Sequence, residues 1–274
     1  MIGKATEDGF ELAVIGDGIV GIACALELQR RGVATTMIAP SDHPRGASIG
    51  NAGHIATEQV EPLASAATIR SLPARLSFRG GPVALPLRDI AEWLPFSLRF
   101  VSAARRDRLA RGTMILTQML STALPAWRRL AAEAGAGQLL REDGHYIVWE
   151  SKATASSGRA HWERANCGEA RWRAATKAEV ADLQRLVNVP IEGAIRFSGS
   201  GQVTDLDTLH KALRLRFVEL GGTIRHAVAT RLNPNDKTTV ITLADGSALR
   251  ASKVVVAAGV DSRKLLEPLG MTVP

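Results

Sequence analysis

Scarcity closes several chemistries to this sequence. Its 274 residues contain two cysteines, Cys24 and Cys167. They lie far apart and form neither a disulfide framework nor metal-ligand spacing. Cys24 falls on a helical pattern where a small apolar residue fits. The six histidines are scattered, so no metal site is expected, and no Ser/His/Asp or Cys/His constellation stands out. Aromatic residues make up 4% of the chain, and none interleave with basic residues on a strand as a nucleic-acid platform requires. No apolar run approaches the roughly 18 residues that a spanning helix needs. Residues 1–11 carry acidic groups and no apolar core, which is not the pattern of a signal peptide. Together these absences favour a reducing, cytoplasmic setting.

The chain is nonetheless 46% hydrophobic and long enough to bury a core in one or two domains. Its net charge of +7 comes mostly from arginine. With no nucleic-acid motif present, the arginines read as a solvated surface rather than a nucleic-acid patch. Residues 90–111 join Trp93, Leu94, Phe96, Leu98, Phe100 and Val101 to Arg99, Arg105, Arg106, Arg108 and Arg111. Such a segment either lies peripherally on an anionic membrane, at the inner face, or covers a domain with its arginines in water. The second is the expectation.

The most informative stretch is Leu-Ala-Val-Ile-Gly-Asp-Gly-Ile-Val-Gly at residues 12–21. An apolar strand runs into Gly16-x-Gly18-x-x-Gly21 and then into an apolar-periodic helix, the context in which a glycine triplet marks a dinucleotide site. Gly16 permits the tight turn, Gly18 lets a pyrophosphate approach the backbone, and Gly21 lets helix and strand pack closely. The helix start, with Ile19 and Val20, offers N–H groups to the anion. Two residues sit oddly in this frame. Asp17 lies inside the turn, where a carboxylate repels phosphate unless it points to solvent. Ala39 stands about 20 positions on, where an acidic residue should bond the ribose. Asp42 either reaches back to serve that role or is an ordinary loop aspartate.

Residues 46–54 read Gly-Ala-Ser-Ile-Gly-Asn-Ala-Gly-His. Small residues and polar tips, with Ser48, Asn51, Ala52, Gly53 and His54, suit a second loop laid over a pyrophosphate and a flat ring. The fingerprint and this loop together resemble the amino-acid oxidase superfamily of FAD enzymes, and within it the bacterial D-amino acid dehydrogenase branch. The likeness continues through Arg-Glu-Asp-Gly-His at 141–145, Gly-Gln-Val-Thr-Asp at 201–205 and Val-Val-Val-Ala-Ala-Gly at 254–259.

The resemblance implies an α/β fold: a Rossmann-like FAD-binding domain with an interleaved, incomplete α+β substrate domain. The expected division is residues 1–60 and 201–274 for FAD and mainly 61–200 for substrate. It implies FAD contacts from Gly16, Gly18, Ile19, Val20, Gly21, Ser48, Asn51, Ala52, Gly53, His54, Val228, Ala258 and Gly259, and names no catalytic residue. It implies a small amino-acid substrate whose neutral amine-bearing carbon delivers hydride to flavin N5. The imine then hydrolyses to a 2-oxo acid and ammonia, and electrons pass to a quinone, the respiratory chain or another acceptor. Family members continue beyond the last motif, so the substrate sheet is expected to lack strands, which favours self-association into an oligomer. The departures at Asp17 and Ala39 keep open an inactive or partner-dependent remnant. The glycines alone also serve a nicotinamide dinucleotide, and the loop at 48–54 favours FAD.

Periodicity predicts β-α-β over Phe10–Ile15, Ile19–Arg30 and 34–38, then a proline-interrupted stretch at 62–100. Further helices are expected at 113–134, broken near Pro125, and at 177–186, Leu206–Glu219 and 262–266. Strands are expected at 144–150, 194–197, 223–232, 238–243 and 248–250, with 253–257 buried in the middle of a parallel sheet. Asp205 reads as a helix N-cap. His145 and Trp149 either face a ligand or pack.

Overall fold

The computed structural model describes residues 10–41, 46–76, 81 and 83–273. In chain order its elements are β1 (Phe10–Ile15), α1 (Ile19–Arg30), β2 (Thr35–Ala39), β3 (His54–Ile55), α2 (Ala66–Arg75), α3 (Ile90–Ala103), α4 (Arg106–Ser121) and α5 (Ala123–Glu133). There follow β4 (Leu140–Arg141), β5 (His145–Trp149), α6 (Lys152–Arg164), β6 (Arg171–Ala174), α7 (Lys177–Gln184), β7 (Gly193–Ser198), β8 (Gly201–Val203) and α8 (Leu206–Glu219). The chain closes with β9 (Thr223–His226), β10 (Ala229–Pro234), β11 (Thr239–Leu243), β12 (Ala248–Val256) and α9 (Ser262–Leu266). It divides into two compact units. The first comprises Met1–His54, Trp127–Arg141 and Gln202–Pro274, and the second Ile55–Ala126 and Glu142–Gly201.

The first unit is built on a sheet of order β10-β11-β12-β1-β2-β9. β12, β1, β2 and β9 run parallel, while β10, β11 and the first half of β12 form an antiparallel ribbon. β1 is central, and Leu12–Ile15 are buried whichever way they point, as expected of a strand covered on both faces. On one face Ala13, Ile15 and Ile38 join Leu232, Ile241, Leu243 and Leu265 in one core. The ribbon therefore folds back over the parallel strands. α1 buries Gly21, Ile22, Ala25 and Leu26, and α8 buries Leu209, Leu213 and Phe217, the helical spacing that gives one apolar stripe. Each large side chain so buried contributes roughly 1.5–3 kcal/mol. Gln29 ties the two helices to the sheet, donating to Leu220 O and accepting from Thr35 N–H.

In the second unit β5, β7 and β6 form an antiparallel sheet around Ala170, Ile195 and Phe197, with Trp149, Trp162 and Trp172 packed on them. α6 lies against this sheet through small residues. A Cβ on Gly158 would meet the Trp149 ring at 2.4 Å, and one on Gly193 would meet Ala155 Cβ at 2.7 Å. Glu179 of α7 binds Arg173 and Arg196, accepts from Tyr146 and Thr176 N–H, and completes a capping box with Thr176. Arg173 first, then these other donors, hold its carboxyl far below the usual carboxylate range.

Several expectations are corrected. The predicted strand over 223–232 is two strands, because Ala227 N–H bonds Ala39 O while Ala244 N–H bonds Val228 O. The chain exchanges β2 for β11 at that point. The strands expected at 248–250 and 253–257 are one, β12. Its residues 253–256 pair parallel with β1 as expected, but with β1 alone among the described strands, and Val254–256 are half-buried rather than buried. Proline does not interrupt α3, which runs through Pro95, and α2 contains Pro73. The break expected near Pro125 falls at Thr122.

Candidate dinucleotide site

Because β1, β2, β9 and β12 are parallel, their carboxyl ends share one edge of the sheet, the edge where open α/β sheets bind ligands. β1 ends at the glycine turn. Gly16 has φ +102°, and a Cβ there would lie 2.4 Å from Ala257 O, so only glycine fits. Its N–H bonds Ile38 O, and Ala257 N–H bonds Ile15 O, which fastens the turn to both neighbouring strands. A Cβ on Gly21 would lie 2.0 Å from Gly16 O; here glycine serves helix–strand approach.

Gly18 differs from both. It is the N-cap of α1 at φ −59°, with no side-chain cap, and the one neighbour its Cβ would meet is Ser48 Oγ at 3.1 Å. Among the described residues, the space in front of it is otherwise open. The first-turn N–H groups of Val20 and Gly21 have no intrahelical acceptor, and the first turn carries no acidic side chain. This is an anion cradle of helix dipole and N–H groups. Ser48 completes it from the second loop, its Oγ accepting Ile19 N–H at 3.0 Å. Val20 is exposed. Ala258 and Gly259 follow β12, Gly259 at φ +59° with open space around its Cβ position among the described residues. A dinucleotide diphosphate fits this donor set.

The rest of the second loop is held by its own chain. Asn51 accepts Gly53 N–H at 2.7 Å and donates to Ala47 O at 2.7 Å. Ala52 O accepts from Gln202. Gly53, at φ +69°, is pressed against Val203, whose O would lie 2.1 Å from a Cβ. His54 opens β3 and is exposed. Val228 is half-exposed between β9 and β10. Ala39 is fully buried at the end of β2. Asp42 lies outside the described residues.

Asp17 does not point to solvent. It is buried, and its carboxylate pairs with Arg214 of α8 at 2.8 Å, with side-chain exposures of 6% and 9%. His210, one helical turn earlier, donates from Nε2 to Asp17 O at 2.5 Å. The sequence reading missed both α8 residues. Their spacing beside the Leu209–Leu213–Phe217 stripe was visible, but a partner almost 200 positions away was not.

In the second unit, His145 stacks on Phe197 with centroids 4.7 Å apart, and its Nδ1 lies 2.8 Å from Ser200 Oγ. Its Nε2 is 3.9 Å from the buried carboxylate of Glu58. Trp149 packs in the same core. Trp149 is thus a packing residue, while His145 combines its stacking with polar contacts to Ser200 and Glu58. Asp205 caps α8, accepting Thr208 N–H at 2.9 Å, and that bond lowers its pKa. No described helix is long and apolar enough to cross a membrane.

Comparison with known proteins agrees with this geometry. The chain is 26% identical over 271 residues to a D-amino-acid oxidase of Bradyrhizobium diazoefficiens, covering 97% of this chain and 64% of that protein. It is 28% identical over 277 residues to D-amino acid dehydrogenase 2 of Ralstonia nicotianae, covering 94% and 62%. It thus spans just under two thirds of each. Its fold matches glycine oxidase from Geobacillus kaustophilus with TM-score 0.63 at 18% identity, covering 97% of this chain and 60% of that one. It also matches iminodiacetate oxidase from Chelativorans sp. BNC1 with TM-score 0.59 at 21% identity, covering 96% and 59%. Residues 11–274 match the family described as FAD dependent oxidoreductase, and the chain belongs to that family, DAO.

Proposed function

We propose that this chain holds FAD at the α1 turn and serves the oxidation of D-amino acids to 2-oxo acids and ammonia. The observation that carries the reading is the side-chain-free cradle at Gly18, framed by the α1 N-terminus and Ser48. The D-amino acid substrate class is favoured by the two relatives named for it. When bound, FAD supplies the two-electron acceptor for the amine-bearing carbon.

The residues act by binding and orientation. Gly16 and Gly21 hold the turn against β12 and α1. Gly18, Ile19, Val20 and Gly21 present backbone to the diphosphate. Ser48, already accepting Ile19 N–H, has its own hydroxyl proton to donate to a phosphate oxygen. Ala258 and Gly259, with the loop Asn51, Ala52, Gly53 and His54 and with Val228, border the remainder of the cofactor. A substrate entering with a neutral amine needs no protein base, and its imine product hydrolyses in water.

The test is anaerobic bleaching of the FAD-loaded chain by a panel of D-amino acids, their L-enantiomers and glycine, followed by dye-linked turnover. Bleaching selective for D-amino acids is expected. Selective bleaching by L-amino acids would overturn the substrate assignment, and no bleaching by any of them would favour the inactive or partner-dependent remnant.

A further inference from the structure

A carboxylate inside a phosphate-binding turn is a conflict, because it places like charge where a diphosphate must sit. The chain keeps Asp17 between Gly16 and Gly18 and removes the conflict from below. Asp17 is rotated into the protein and held by Arg214 at 2.8 Å, both side chains nearly fully buried. The backbone of the same residue is held separately. His210 Nε2 lies 2.5 Å from Asp17 O. A carbonyl only accepts, so Nε2 carries the proton, and the buried Nδ1 is left with no hydrogen-bond partner among the described residues. His210 and Arg214 are one turn apart on α8 and so reach the same residue, one by its carbonyl and one by its carboxylate. α8 is in turn anchored in its unit by the buried Leu209, Leu213 and Phe217.

We propose that Arg214 and His210 are positioning residues for the cofactor: they latch the glycine turn to α8 and hold the Asp17 carboxylate away from the diphosphate, so that flavin affinity depends on side chains buried behind the turn. The proposal rests on reading the α1 turn as the FAD site. An exposed aspartate would need no partner here. A buried one without Arg214 has two outlets. It can remain inside unpaired, at high cost, or swing outward into the anion cradle. Either outcome weakens FAD binding, and the second does so by charge repulsion.

The experiment is FAD titration of the apo chain, followed by flavin fluorescence and by the thermal unfolding of apo protein. The variants are Arg214→Gln, Arg214→Lys, Asp17→Asn and the double variant Asp17→Asn with Arg214→Gln, and Gly18→Val serves as the site control. Arg214→Gln should weaken FAD by about tenfold or more, and Arg214→Lys should recover most of that loss. The double variant should return to within about threefold of the parent, because removing the carboxylate removes the need for the arginine. The Arg214→Gln deficit should shrink as salt rises from roughly 0.05 to 0.5 M, since screening weakens repulsion but does not repair packing.

Should Arg214→Gln fail to fold, the comparison of Arg214→Lys with the double variant reads the same coupling. Parent-like affinity in Arg214→Gln, or a double variant as weak as the single, would overturn the latch. Parent-like affinity in Gly18→Val would instead overturn the site assignment itself. The two failures are distinguishable.

Discussion

The two units use apolar residues in opposite ways. In the first, α1 and α8 each bury a stripe, and β1 is buried along Leu12–Ile15. In the second, α3 and α4 bury no residue, and Phe96, Leu98, Val101, Met114 and Met119 are each more than half exposed. Equal apolarity therefore does not mean equal packing. The first unit is organised around a six-stranded sheet, and the apolar stripes of α1 and α8 are buried within the unit. The exposed helices of the second leave these apolar side chains beside arginines with no described element covering them.

The comparison is broken most severely in the two cores. Phe217→Ala in the first unit and Phe197→Ala in the second should each cost about 3–5 kcal/mol, measured by denaturant unfolding. A cost under about 1 kcal/mol for Phe217→Ala would mean that α8 does not anchor its unit.

A smaller effect is expected at Ala39, the buried end of β2. Ala39→Glu should tighten FAD by about tenfold through a charge-assisted bond to the ribose, near the low end of what such bonds supply, and should lower the stability of the apo chain. Unchanged affinity would show that another group already bonds the ribose.

In the second unit, Thr176→Ala removes the α7 cap and should cost about 1 kcal/mol. Its pH behaviour follows from Glu179. Because Arg173 and its other donors depress the Glu179 pKa below the ordinary 4.5, the stability it confers is fully present above that value. It is lost only as pH falls through the much lower folded value. Glu179→Gln should therefore destabilise the second unit at pH 7 and narrow its difference from the parent in strong acid. The smallest effect belongs to Phe96→Ala on the exposed helix, within about 0.5 kcal/mol; a large loss would show that α3 is packed in solution.

Local signals made much of the first unit legible. β1, α1 and α8 carry their own boundaries in the glycine triplet, in Gly32 and in the Asp205 cap, and the structure places them at the expected residues. What was not legible depends on distant partners. The break at Ala227 arises from Ala39 and Ala244. α6 has little apolar periodicity, because it packs through Ala155, Gly158 and Gly193, and small residues leave no stripe to read. Gly53 was expected for a cofactor, yet the nearest demand for it is Val203 O. Asp17 was legible only as an anomaly, and its resolution by Arg214 required the fold.

The central claim is that the α1 turn holds FAD at its open glycine, Gly18. Titration of the apo chain and of Gly18→Val with FAD, alongside thermal unfolding of both, tests it most directly. The φ of Gly18 suits any residue, and among the described residues its Cβ meets only Ser48 Oγ, so the variant should fold with nearly the parent's stability and lose saturable FAD binding. A Gly18→Val chain that binds FAD as the parent does would contradict the account.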